Sequence, residues 1–273
     1  MKAGLCLSVF VLGLCSLAHS ASADAFLDYQ KFARTFYNLE ETDFERITCN
    51  IKSELLSESV TSLRRGLASK RDGLRLVEDI SNFSVTVDRE GELKFKQPRA
   101  EVKISVDSRK ANQDTEALKA EAELINKSLT QQIEASSQAV SNVVGELFGP
   151  RRGKVEVLSF SSNGKETKFS LKFENGGLSS RFSNNTKLST SALPDGSITT
   201  TSRYNLENNK LLLSEIDGLV ERDSKKTYTV IRVEYKQVGS IKFPTKILQR
   251  VSLDKDSKEE KQADVWLENC RVE

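Results

Sequence analysis

The sequence predicts an α+β fold: a curved antiparallel β-sheet, a half-barrel or clam, with one long amphipathic helix across its concave face and short N-terminal helices. Three observations lead there. From Thr115 to Phe148, Leu118, Ala122, Ile125, Leu129, Ile133, Val140, Val143, Leu147 and Phe148 recur at steps of three and four or their sums, which puts them on one stripe of a helix. Nearly every segment after that helix alternates apolar and polar residues between turn signals, the period of a strand. Long strands joined by short turns pair antiparallel, and a twisted sheet of many strands tends to curl.

The chain opens with Lys2, an uncharged apolar run from Ala3 to Ala18, and Ala21-Ser22-Ala23. A basic start, a short apolar stretch and an A-x-A site describe a Sec signal peptide over residues 1–23, with Asp24 as the mature N-terminus. The run is shorter than the ~20 residues that span a bilayer. Leu5 before Cys6 and Leu14 before Cys15 do not fit a lipoprotein acceptor. The expectation is a soluble periplasmic or secreted protein, not an integral membrane protein. Cleavage removes Met1, Cys6, Cys15 and His19, so the mature chain has no histidine, no methionine and two cysteines. Its charge is nearly balanced: 41 basic residues less Lys2, against 39 acidic, leaves +1. That balance gives no reason to expect nucleic acid or a bulk anionic surface as a partner. No Pro/Gly-rich linker breaks residues 24–273, which read as one domain.

The remaining cysteines, Cys49 in Phe44–Leu56 and Cys270 in Ala263–Val272, lie in strand-like segments near opposite ends. An even count in an oxidising compartment points to a disulfide between them. Closing so long a loop stabilises the fold by roughly 5 kcal/mol in the chain-entropy model.

Taken in order, Ala25–Leu39 carries Phe26, Leu27, Tyr29, Phe32, Phe36 and Tyr37 at helical spacing, an aromatic face that docks on a sheet. Thr48–Leu56 reads as a strand and Ser57–Leu67 as a short helix. Phe83–Val87, Leu93–Phe95 and Val102–Val106 then alternate around the Glu90-Gly91 turn and Pro98. Asp114 can cap the long helix, Glu116 favours its first turn, and Gly149-Pro150 ends it. At 1.5 Å per residue the helix is about 50 Å long. Beyond it, Val155–Val157, Phe169–Phe173 and Leu178–Leu188 read as successive strands, separated by Asn163-Gly164 and Asn175-Gly176-Gly177, because Asn-Gly supplies the positive φ of tight hairpins. Ser197–Leu206, Lys210–Arg222 with a bulge at Gly218, Lys226–Val238, Ile241–Leu253 and Ala263–Arg271 complete the pattern, and Asp254–Lys261 forms a charged tip.

With these elements in place, Tyr228–Tyr235 followed by Gly239-Ser-Ile-Lys-Phe243-Pro244-Thr-Lys-Ile247 resembles the end of the periplasmic lipoprotein-carrier superfamily, the half-barrel group of LolA, LolB, LppX and RseB. Gly239 and Pro244 fall on that family's turn pattern. The long helix is more continuous, and the strands richer in Ser and Lys, than in the carriers. The resemblance implies an apolar cavity that shields a lipid or the acyl chains of a lipoprotein, with no covalent chemistry and no cofactor. The apolar faces offer a lining: Phe169, Leu171, Phe173, Ile231, Val233, Tyr235 and Phe243, facing Leu129, Ile133 and Val140. The same faces also serve ordinary core packing, because a sheet must bury one side whether or not it holds a ligand.

An enzyme here would have to work without histidine, which removes the common nucleophile–base pairs and zinc sites and leaves carboxylate pairs. Asp72, Glu78, Asp79, Glu215 and Asp217 are scattered among charged neighbours. Gly149–Lys154 has the wrong spacing for a phosphate loop and Val155 where a hydroxyl is needed. The expectation is no catalytic residue and no metal. The alternative to a carrier is a cell-envelope scaffold with a solid core and an envelope protein as partner. Asn82, Asn126 and Asn184 stand in Asn-x-Ser/Thr sequons, which serve only in a eukaryotic secretory pathway.

Overall fold

The computed structural model describes residues 25–69, 73–105, 115–148, 155–173, 176–223, 225–253 and 261–273. The proposed signal segment, the Asp114 cap, Gly149–Lys154 and the charged tip at 254–260 lie outside them. The helices are α1 (25–33), α2 (Glu54–Ser69) and α3 (Thr115–Gly145). The strands begin with β1 (Arg46–Ser53), β2 (Gly73–Asp79), β3 (Ser84–Asp88), β4 (Leu93–Lys96) and β5 (Arg99–Ser105). After α3 come β6 (Glu156–Ser162), β7 (Thr167–Phe173), β8 (Gly176–Ser183), β9 (Thr186–Leu193) and β10 (Gly196–Glu207). The last four are β11 (Lys210–Arg222), β12 (Lys225–Val238), β13 (Ile241–Ser252) and β14 (Lys261–Val272). Hydrogen bonding orders twelve strands as β4-β3-β1-β14-β13-β12-β11-β10-β9-β8-β7-β6, and β2 pairs with β5 alone. This is an α+β fold, mostly antiparallel strand with one long helix. Among the described residues no helix is long and apolar enough to cross a membrane.

The chain falls into two compact units, the first made of Met1–Asn38, Gly149–Thr229 and Ser252–Ser257, the second of Leu39–Phe148, Val230–Val251 and Lys258–Glu273.

In the second unit, the α3 stripe read from the sequence is the buried one. Leu129, Val140, Val143 and Leu147 are closed off from solvent, and Ala122 nearly so. The helix packs on β5 and β2, on α2 and on β14. Two polar residues of α3 fix its position. Asn126 Nδ2 donates to the Val102 carbonyl (3.0 Å) and its Oδ1 accepts the Val102 N–H (2.6 Å), a clasp on β5. Buried Ser136 donates to Ser53 Oγ at 2.9 Å, while Ser53 Oγ accepts the Leu56 N–H at 3.4 Å and so caps the first turn of α2.

The disulfide joins Cys49 and Cys270, 221 residues apart in sequence and 4.1 Å apart at Cα. Register explains their closeness. Thr48 faces Arg271 and Asn50 faces Glu268, so Asn269 and Cys270 together oppose Cys49. Asn269 takes the left-handed conformation (φ 52) that lets a strand accommodate an extra residue. The unit's core carries Ile47, Val85, Val87, Phe83, Phe243 and Ile247, all fully buried.

The first unit is a meander from β6 to β11 with α1 against it. Two sequence expectations are corrected here, and the second unit holds one strand that the sequence did not lead us to expect. Leu178–Leu188 is not one strand: β8 and β9 meet at Asn184-Asn185, whose φ values of 48 and 57 make the same tight turn that Asn-Gly makes. The bulge of β11 lies at Ser214, where pairing passes from Arg203–Glu215 to Tyr204–Leu213, and Gly218 pairs in register with Thr200. Strand β2 was not foreseen, because its apolar residues Leu74, Leu76 and Val77 do not keep a clean alternation.

Candidate functional site

The residues named as a lining fall in both units. Phe169 and Leu171 are buried, and Phe173 at the end of β7 is 40% exposed. Leu129 and Val140 belong to the closed face of α3, with Ile133 half-buried beside them. Ile231, Val233 and Phe243 are buried and Tyr235 half-buried in the second unit. The structure brings Phe169 and Leu171 together with Tyr29 and Val157, and packs Ala25, Phe26, Phe32, Val155, Phe160 and Leu178 around them.

That cluster is the aromatic face of α1 docking as its spacing implied. Tyr29 meets Phe169 at 5.0 Å between ring centroids, and Phe32 meets Phe169 at 5.7 Å and Phe182 at 5.3 Å. Phe36, just past the helix, stands edge-on to Phe182 (5.4 Å) and Tyr204 (4.8 Å). Tilted and edge-on pairs are the favoured arrangements of aromatic quadrupoles. Backbone bonds hold the exit of α1 against β11: Tyr37 N–H donates to Leu211 O at 2.9 Å, and Leu211 N–H to Thr35 O at 2.8 Å.

In a meander, alternate hairpins turn at the same end. The tips of β6–β7, β8–β9 and β10–β11 therefore gather there, and with α1 they surround a hollow of about 890 Å³ in the first unit. Phe32, Phe182, Leu206 and Leu211 give it apolar walls; Asn184, Asn185 and Asn209 put amides on the rim, with Thr35, Thr167 and Ser183 between them. All three asparagines hold positive φ, as does Gly164 in the third tip (φ 80). Asn163 braces that tip by accepting the N–H groups of Lys165 (3.0 Å) and Glu166 (2.8 Å) at its Oδ1. The acidic side chain of the lining is Glu166, and it is ion-paired with Lys168 (3.0 Å) and Arg181 (3.1 Å). Lys165 adds an exposed cation at the same tip, so the arrangement offers apolar surface, neutral hydrogen-bonding groups and charged groups around an open space.

None of the ten residues named from the sequence lines this hollow. Its residues were missed because they come from three separate hairpin tips and the end of α1, which no local pattern brings together. The available signal was the pair of Asn-Asn dipeptides, 184–185 and 208–209, both set between alternating runs. Of the carboxylates singled out in the sequence, Asp72 lies outside the described residues and the other four are engaged: Glu215 and Asp217 share Arg203, Glu78 is bonded to Arg64, and Asp79 accepts from Ser81 at 2.8 Å and from Asn82. The Arg203 guanidinium is stabilised further by that sharing, chiefly by its hydrogen bond with Asp217. Among the described residues no group of three or more His, Cys, Asp or Glu is placed to hold a metal ion. Compared with known proteins, the chain matches no family model, no curated protein and no solved structure.

Proposed function

We propose that this is an exported, non-enzymatic binding or carrier protein for a lipid or another apolar ligand, held in the hollow of the first unit. The observation that carries the reading is the hollow itself. Its volume lies within the several hundred to about 1,000 Å³ usual for small-molecule sites, and four apolar side chains, Phe32, Phe182, Leu206 and Leu211, face it among hydroxyl, amide and charged groups, so it offers apolar and polar surface in similar measure. The disulfide is compatible with an oxidising compartment. The half-barrel form and the acyl-chain cargo implied by the resemblance to the lipoprotein carriers belong to the same proposal. Apolar cargo would lie against Phe32, Phe182, Leu206 and Leu211, with a headgroup meeting the rim amides.

A second reading, an envelope scaffold that holds no small ligand, is favoured by the second unit, whose core side chains are fully closed off. Native followed by denaturing mass spectrometry, on protein purified without detergent, separates the two. The carrier reading expects an excess mass that disappears on denaturation and fragments as a lipid, and that Leu206→Glu loses. A clean mass, together with no uptake of a fluorescent fatty acid, overturns the carrier reading in favour of the scaffold.

A further inference from the structure

The balanced charge of the whole chain conceals a segregation on the second unit. Strand alternation sends Ile47, Cys49, Ile51 and Ser53 of β1 into the core and Arg46, Thr48, Asn50 and Lys52 to the opposite face. The ladders then assign the neighbours. Thr86 faces Thr48, and their hydroxyls hydrogen-bond at 3.3 Å; beyond β3, Lys94 faces Thr86 and Lys96 faces Ser84. On the other side Arg271 faces Thr48, and Trp266 faces Lys52. Lys246 of β13 faces Trp266 from the far side.

Trp266, the only tryptophan of the chain, is thus flanked on both neighbouring strands by lysines, with Lys52 Nζ at 5.9 Å and Lys246 Nζ at 5.8 Å from its ring centroid. The carboxylates on the face are Asp88, Glu268, Glu234, the buried Asp264 and Glu273, which lies 3.7 Å from Arg46. Glu234 lies 3.5 Å from Lys246, between the exposed Arg232 and Lys236 on β12. Cations outnumber anions across the sheet. At its end α2 contributes Arg65 with Glu54 and Glu58, beside a hollow of about 640 Å³ that reaches Lys52 and Trp266.

We propose that this basic, Trp266-centred face of the second unit docks on a bilayer containing anionic lipids. Charge complementarity selects the anionic surface. The type of side chain selects a bilayer over a soluble polyanion. Tryptophan prefers the headgroup level, and lysine stems lie along apolar surface while their ammonium groups reach the phosphates. Interleaved hydroxyl and amide groups, Thr48, Asn50, Ser84 and Thr86, suit the same layer. The surface lies on a different unit from the apolar hollow, so vesicle binding is read with no cargo present, and failure of either proposal leaves the other standing.

The test is co-sedimentation of the full chain with phosphatidylcholine vesicles, with and without phosphatidylglycerol, while following the emission of Trp266. The expected result is binding and a blue shift only with phosphatidylglycerol, both reversed by salt. Lys52→Gln with Lys246→Gln should bind about 25-fold more weakly, on the order of fivefold for each cation lost. Lys94→Gln with Lys96→Gln, remote from the indole, should weaken binding to a similar degree with the fold intact by circular dichroism. Lys168→Gln with Lys172→Gln, on the first unit, should change nothing. Equal binding to neutral vesicles, equal loss in the first-unit variant, retention on heparin without vesicle binding, or a dimer that buries Trp266 would each overturn the proposal.

Discussion

Asp195 sits in the turn between β9 and β10, and its carboxylate is bonded to the Arg222 guanidinium. That hydrogen bond, with the cation's charge behind it, holds the carboxyl below its ordinary 3.8, against a smaller desolvation effect that raises it. A folded-state pKa below the unfolded one means that the pair contributes stability above the unfolded value and loses it as pH falls through the folded value. The Tm of the protein should therefore decline as pH drops below about 3.8. Asp195→Asn, with no proton to take up, should show a flatter profile in that window while matching any change at other acid groups. Differential scanning calorimetry of both proteins across the acid range reads the difference. Because the pair is exposed, added salt should shrink it.

At the scale of the element, the Asn126 clasp gives β5 what a further strand would have given it: a donor and an acceptor for Val102. Asn126→Leu keeps the side-chain volume but strands both backbone groups beside a buried valine. It should cost about 2 kcal/mol in urea unfolding, while Lys127→Leu next to it should cost little. Such clasps are invisible to pattern reading, since Asn126 sits beside the apolar stripe and looks like a surface residue. The stripe was legible because packing of α3 follows its own period, and β7 because Phe169 and Leu171 alternate cleanly with Lys168 and Lys172. Where turn chemistry departed from Asn-Gly, as at Asn184-Asn185, alternation ran on through the turn and hid it. The hollow was illegible for a related reason. Its walls are drawn from three hairpin tips and from α1, and only the strand order shows that those tips share one end.

For the whole molecule, the decisive connection is the one between chain ends, where β1 pairs with β14 and the disulfide locks the pairing. The double variant Cys49→Ser, Cys270→Ser should lose up to about 5 kcal/mol of stability in the chain-entropy model. Urea unfolding with and without reductant checks this, since the reductant should move the wild type and leave the variant unchanged. The same connection sets a timetable for synthesis. At about 5–20 residues per second, the partner of β1 arrives roughly 10–40 s after β1 itself. Until then Ile47 and Ile51 have only β3 beside them, whereas the β6–β11 meander is contiguous and pairs hairpin by hairpin as it emerges. The second unit, whose β1 to α3 precede the whole meander, is thus the last to be finished. Until β14 arrives and Cys270 meets Cys49, one edge of β1 stays unpaired, and the covalent link that closes the unit waits on the final residues and on an oxidant.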